Sequence, residues 1–265
     1  MTCAMRRTQR CLVALLGGGL LGGTACVAPP AGATPPRPWP TASQAPVVVQ
    51  PSTPPPPSGA TAKRVGELTA AAWSSWENVT YLPWSRKSRY ARLDSPEGPV
   101  VRVDADDSAS MLVRLVRFDP RREPIVAWRW RIAAPPTAGD ERVKERDDCA
   151  ARVYFVWGLR SRSDVFSAKG IAYVWGRTRR VGEFGASPFT AKVGVFALRS
   201  GAAGAGAWQR EQRDLEADYR AYFGAPPDGP VSAIALLTDT DHTHGTATAW
   251  YGEITARPRA PGPTR

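Results

Sequence analysis

Val126-Ala127-Trp128-Arg129-Trp130-Arg131-Ile132 carries the pattern that decides the fold. Val126, Trp128, Trp130 and Ile132 fall on one face and Arg129 and Arg131 on the other, the period of two of a half-buried strand. The same alternation returns downstream. Ala151 to Leu159 sets Val153, Phe155 and Trp157 against Arg152, Tyr154 and Val156, and Ile171, Tyr173 and Trp175 repeat it. Further strands are expected at about 100–103, 110–118, 192–198, 232–238 and 246–256. Turn residues separate them, among them Asp119-Pro120, Pro135-Pro136, Gly158, Gly176 and Gly245. Eight or nine strands with short gaps predict an all-β, two-sheet antiparallel β-sandwich. Two capping helices break the pattern. Val65, Leu68, Ala72 and Trp76 fit a short one. Trp208, Gln212, Leu215, Tyr219 and Tyr222/Phe223 fit a clearer one, stopped by Gly224 and Pro226-Pro227.

Outside these strands the composition changes. Of 26 prolines in 265 residues, twelve lie between Ala28 and Ser58, where neither a helix nor a central strand can form. Before them, Arg6, Arg7 and Arg10 precede the apolar run Cys11–Leu21, the order of a secretory signal peptide over residues 1–25. Gly23-Thr24-Ala25-Cys26 resembles a bacterial lipobox, with Cys26 as the lipidated first residue of the mature chain. The alternative is ordinary cleavage after Ala31-Gly32-Ala33; the lipobox accounts for a thiol beside a signal end. Residues 26–63 then form a Pro-rich disordered tether, 64–257 one β-sandwich domain and 258–265 a disordered tail. The expected address is the periplasm or, as an anchored form, the outer membrane, since Val27 is not the acidic retention signal of inner-membrane lipoproteins.

No later run approaches the roughly 18–20 uncharged residues of a membrane helix, so a multi-pass helical protein is excluded and membrane contact is through the anchor only. The net charge of +11 falls near +8 without the three leader arginines, and the basic residues are scattered, so nucleic acid is not the expected partner. Cys149 is the one cysteine of the folded region, which excludes a disulfide scaffold and reads as a small buried residue. His242 and His244 are the only histidines, too few for a multi-histidine zinc site, and no phosphate-loop, dinucleotide, zinc-protease or nucleophile-elbow motif occurs.

Six motifs occur in order: Trp128-Arg129-Trp130; Lys144-x-x-Asp147-Asp148-x-Ala150-Ala151-Arg152; Tyr173-x-Trp175-Gly176; Arg213-Asp214-x-x-x-Asp218-Tyr219-x-x-x-Phe223-Gly224; Asp239-Thr240-Asp241-x-Thr243; and Tyr251-Gly252-Glu253-Ile254. Together they resemble a bacterial family of secreted proteins known only as domain-of-unknown-function family 3047, over roughly residues 73–257. The sequence departs from that pattern at His242 and His244, where Asn or another small polar residue and Gly are expected. The resemblance implies a jelly-roll sandwich similar to galactose-binding-like and carbohydrate-binding modules, and it carries no activity.

Candidate chemistry gathers at four places. Asp147 and Asp148 precede the strand that bears Arg152, either as a turn with an ion pair or as a carboxylate and guanidinium framing a polar substrate. Asp239 and Asp241, at i and i+2, with Glu253 on the last strand, could hold a structural Ca²⁺; an Asx-turn is the simpler alternative. The resemblance adds that jelly-roll carbohydrate modules often hold such an ion. Asp214 and Asp218, at i and i+4, could act as an acid–base pair or form helix-surface ion pairs. Tyr173 and Trp175, on one strand face, could stack a sugar ring. The expected function is glycan binding at the cell envelope through Asp148, Arg152, Tyr173 and Trp175, with no cofactor required. The rivals are a polysaccharide-degrading enzyme using a carboxylate pair from Asp147/Asp148 and Asp214/Asp218, and a purely structural envelope protein.

Overall fold

The computed structural model describes residues 62–80 and 85–260. The leader, Cys26, the tether through residue 61 and the tail from residue 261 lie outside the described residues. In chain order the strands are β1 (Lys63–Gly66), β2 (Trp76–Val79), β3 (Arg89–Leu93), β4 (Val100–Asp106) and β5 (Met111–Phe118). There follow β6 (Ile125–Ile132), β7 (Cys149–Trp157), β8 (Lys169–Gly176), β9 (Phe184–Ser187) and β10 (Thr190–Ser200). The last four are β11 (Gln209–Asp214), β12 (Val231–Asp239), β13 (Thr246–Gly252) and β14 (Ile254–Arg257). Helix α1 (Ala70–Trp73) is one turn, and α2 (Leu215–Phe223) follows β11 directly.

They form the two-sheet sandwich that the alternation predicts, with seven strands in each sheet. In the front sheet β3, β4, β13 and β6 lie side by side; β14 follows β13 along the same flank of β6 and pairs with β1 on its far side, and β11 takes the other flank. The back sheet runs β2-β5-β12-β7-β8-β10-β9. One pair departs from the antiparallel expectation: β10 inserts between β8 and β9 and runs parallel to β8.

The core lies where the two inward faces meet. Trp128 and Trp130 from β6 reach the back sheet, Trp128 to Tyr173 with ring centroids 5.2 Å apart and Trp130 to Trp175 at 6.0 Å. Val153, Phe155 and Trp157 of β7 and Ile234 and Leu236 of β12 complete the layer. Helix α2 closes one end, with Tyr219 edge-on to Trp157 at 4.8 Å. Asp214 caps it by accepting from the Ala217 N–H (3.0 Å), and Gly224 at φ +75° ends it, a conformation open to glycine without strain. The sequence reading started this helix too early, at Trp208. Residues 209–214 pair with β6 instead, because Glu211 there accepts from the Trp130 indole (3.0 Å) and from Arg199 (2.7 Å).

The two sheets differ on their outer faces, and this difference locates the site. Every residue of β7 is buried, and β8 and β12 are almost as enclosed. Val156, Ala172, Val174, Val195, Ala235 and Leu237 form a second apolar layer behind the back sheet, and Val165 from the 3₁₀ turn at Arg162–Phe166 joins it. The front sheet keeps the alternation of a half-solvated sheet. Arg102 and Asp106 on β4 and Thr246 on β13 are exposed, with Val101, Val103, Ala247 and Ala249 buried between them.

Candidate functional site

Tyr173 and Trp175 do not form an exposed stacking platform. Both are 0% exposed, because their face of β8 is the one that meets β6. Tyr173 donates to Asp218 Oδ2 (2.6 Å), and Trp175 donates to the Gly201 carbonyl (3.0 Å). The Asp214/Asp218 pair does not converge either. Asp218 is buried and held by the Arg213 fork (2.5 and 2.9 Å), while Asp214 caps α2 and meets Arg259 at 2.7 Å. Burial opposes charge on Arg213, but the adjacent Asp218 carboxylate more than offsets it and raises its pKa.

Asp147 and Asp148 also part ways, as adjacent residues must at a strand start. Asp147 takes a two-pronged bond from Arg152 (2.7 and 3.1 Å), with both side chains at most 3% exposed. Arg152 also donates to Tyr154 Oη (3.1 Å). Burial works against the Arg152 charge, and the Asp147 carboxylate overcomes it, so the guanidinium stays protonated. Asp148 turns the other way and anchors the 240s loop. It accepts from the backbone N–H of His242 (3.1 Å) and Thr243 (2.9 Å) and from the Thr243 hydroxyl. Burial alone would raise its pKa; these donors and His242 hold it below the usual carboxylate range. Asp148 and Arg152 are therefore interior ties, not ligand contacts.

The calcium set does not assemble. Asp239 Oδ1 accepts from the Cys149 N–H (2.9 Å) and thiol (3.0 Å), and burial pushes its carboxyl up to about 7. Glu253 accepts from the Leu68 N–H (3.1 Å) at the far end of β13, about 20 Å along a seven-residue strand. Asp241 instead lies with Asp148 and His242, their ligand-type atoms within 4.8 Å of one another. His242 Nδ1 lies 3.6 Å from Asp148 and 3.1 Å from Asp241, and these two carboxylates push its pKa up to about 10. With the ring protonated, the three groups form an ion-pair cluster. Cys149 is fully buried, and burial raises its thiol pKa further, which leaves it without nucleophilic character.

A β-bulge tunes this interior. Ala150 and Ala151 of β7 together oppose Thr238 of β12, so the ladder breaks there. The Tyr251 hydroxyl, arriving from β13 of the opposite sheet, fills the break. It accepts from the Arg152 N–H (3.2 Å) and donates to the Leu237 carbonyl (2.6 Å).

A row of alternating arginine and tryptophan side chains lies on the solvated face of the front sheet. Arg131, Trp250 and Arg102 are directly opposite one another on β6, β13 and β4. Arg131 lies 4.0 Å from the Trp250 ring centroid, and Arg102 lies 5.7 Å from it. Trp208, just before β11, extends the row with Arg131 at 5.4 Å and Arg129 at 4.6 Å. Both indoles are half-buried. Arg129 lies flat because residue 252 is glycine: a Cβ there would sit 2.6 Å from the Arg129 Cγ. Arg129 also pairs with Glu97, to which Arg210 adds a 3.7 Å contact. The sequence reading placed Arg129 and Arg131 on the outer face but did not connect them with Trp208 and Trp250. The connecting signal is the alternation of β13, which puts Thr246, Thr248 and Trp250 on one face and Ala247, Ala249 and Tyr251 on the other.

A family model described as "Protein of unknown function (DUF3047)" matches residues 74–255. The chain belongs to the DUF3047 family. No curated protein matches it. Among solved structures it is similar to the xyloglucanase domain of NopAA, a type three effector from Sinorhizobium fredii in complex with cellobiose, at 11% identity and TM-score 0.40 over 69% of this chain and 93% of that one. It is also similar to a variant of CBM29-2, a family 29 carbohydrate-binding module, at 10% identity and TM-score 0.32, covering 75% and 85% of the two chains. The K2 cleaved adhesin domain of Lys-gingipain matches at 12% identity and TM-score 0.36 over 75% and 99%. These likenesses are distant, and none bears on what the DUF3047 chain binds.

Proposed function

We propose that the chain is an exported envelope protein, lipid-anchored at Cys26, that binds a glycan on the solvated face of its front sheet. The observation that carries this reading is the Trp208–Arg131–Trp250–Arg102 row on that face. Indole surfaces supply apolar contact for the C–H side of a sugar ring, and guanidinium forks supply donors for its oxygens. Such a row on a firm sheet is a binding surface, because its side chains are already positioned before a ligand arrives. The enzyme reading has less support. The carboxylates proposed for acid–base work are each engaged by a cation, a helix end or a backbone loop.

The test is affinity electrophoresis against a panel of soluble polysaccharides, with Trp250→Ala and Trp208→Ala beside the wild type. Each variant should weaken retention by about tenfold or more, the effect of removing an aromatic anchor. Melting curves should change little, because both rings are half-buried. Retention unchanged in both variants would end the reading.

A further inference from the structure

The front-sheet face is unevenly charged. Arg102 pairs with Asp104 at 2.9 Å, and Arg89 acts on the same carboxylate. Arg129 and Arg210 share Glu97. With Arg86, which meets Asp106 at 3.3 Å and Asp107 at 3.9 Å, five guanidinium groups are served by four carboxylates, and a sixth is served by none. The side chain of Arg131, half-buried between Trp208 and Trp250, has neither a hydrogen bond nor an ion pair among the described residues, and its Nε is buried without a partner. An arginine held between two indoles loses much of its hydration and keeps its full charge. Its planar fork matches a carboxylate in two parallel bonds, which a hydroxyl does not reproduce.

We infer that the face takes an acidic polysaccharide and that Arg131 reads the carboxylate of a uronic acid unit. This rests on the reading of the Trp208/Trp250 row as a glycan-binding surface and names its ligand class. The row runs across the strands, so Arg102 and Arg131, two strands apart, are separated by about 10 Å. That is comparable with two units of an extended 1→4-linked sugar chain, in which carboxylates alternate with apolar ring faces as arginine alternates with tryptophan here. The surplus of guanidinium over carboxylate raises the local concentration of a polyanion and favours its approach. The export signal read at residues 1–25 favours an envelope polyuronate over nucleic acid as the polyanion.

The experiment measures binding of the full chain to polygalacturonate, to the same polymer fully methyl-esterified, to a neutral β-glucan and to single-stranded DNA, by calorimetry at constant ionic strength. The wild type should bind polygalacturonate at least about tenfold more tightly than the ester, the effect of one charge-assisted bond. Arg131→Gln should abolish that difference, polygalacturonate losing at least about tenfold more affinity than the ester does. Arg131→Lys, which keeps the charge and loses the fork, should retain part of it. Trp250→Ala should weaken both polymers. Equal binding of polygalacturonate and ester, with Trp250→Ala still weakening both, would overturn the acidic-ligand inference and leave the glycan reading standing. Binding of neither polymer nor the glucan, or binding indifferent to Trp250→Ala, would overturn the glycan reading itself. Tighter binding of single-stranded DNA than of polygalacturonate, or loss of the acid–ester difference without Arg131 being touched, would also refute the assignment. A melting curve for each variant separates loss of contact from loss of fold.

Discussion

Replacing Arg152 by methionine should be among the most damaging single changes in the back sheet. The guanidinium and the Asp147 carboxylate are at most 3% exposed and meet through two bonds of 2.7 and 3.1 Å. At an effective dielectric of about 20, unit charges about 4 Å apart attract by about 4 kcal/mol. Removing one partner of such a pair costs about 3–5 kcal/mol, because the other charge stays buried. In a domain of this size that lowers Tm by roughly 10 °C. The loss carries a pH signature. Burial raises the Asp147 pKa even against the pull of Arg152. Without Arg152 only the weaker pull of His242 and Arg179 opposes it, so the pKa rises further and the folded variant holds a proton that the unfolded chain releases near pH 3.9. The deficit should therefore be small below about pH 4, grow as pH rises, and level off above the raised pKa. Asp147→Asn combined with Arg152→Met should recover much of the loss, since no charge is then stranded. Urea titrations of wild type, Arg152→Met and the double variant at pH 4.5 and 7.5 measure every term. A deficit under about 1 kcal/mol at pH 7.5, or one equal at both pH values, would refute the account of the pair as an interior tie.

Trp175→Ala should destabilise the domain by about 3–5 kcal/mol in a urea titration, since it empties a fully buried site and strands the Gly201 carbonyl; a loss below 1 kcal/mol would contradict its place in the core. His244→Gly should stabilise by about 0.5–1 kcal/mol, because residue 244 sits at φ +54°, a conformation glycine adopts freely, and its exposed contact to Asp107 is worth little. A loss of stability in that variant would show that the contact outweighs the strain. Cys26→Ser should abolish labelling of the full chain by a fatty-acid probe, and a label surviving the change would remove the anchor from the proposed function.

The sandwich was legible because β6 and β13 have one wet face, and a period of two survives in such strands. It was misleading in β8. There Tyr173 and Trp175 alternate with Ala172 and Val174, but both faces are covered, so alternation separates two interior layers and cannot say which side opens. The short outer strands β1, β2 and β3 escaped notice because four or five residues such as Arg89–Leu93 carry too few apolar positions to establish a period. β11 was read as helix because Trp208, Gln212 and Leu215 also fit a helical spacing; pairing with β6 decides otherwise. The expectation of Gly at 244 acquires a physical reason in the backbone angle there. The row joins Arg131 of β6 to Trp208 and Trp250, 77 and 119 positions further along the chain, a proximity that depends on strand order and is not written in either neighbourhood.

Tyr251 follows Trp250 on β13, and its hydroxyl crosses the core to the backbone of the back sheet. The strand that presents the outer indole is thus bolted through the molecule at the next residue. To slide or fray there, β13 must pull a buried hydroxyl out of its socket and leave the Arg152 N–H and Leu237 carbonyl bare. Amide protons around Ala249–Tyr251 should consequently exchange with solvent only through large-scale opening, whether or not a ligand is present. Little freedom is left there for a polymer to freeze on arrival, so complex formation at this face resembles the meeting of two rigid parts more than the moulding of one around the other.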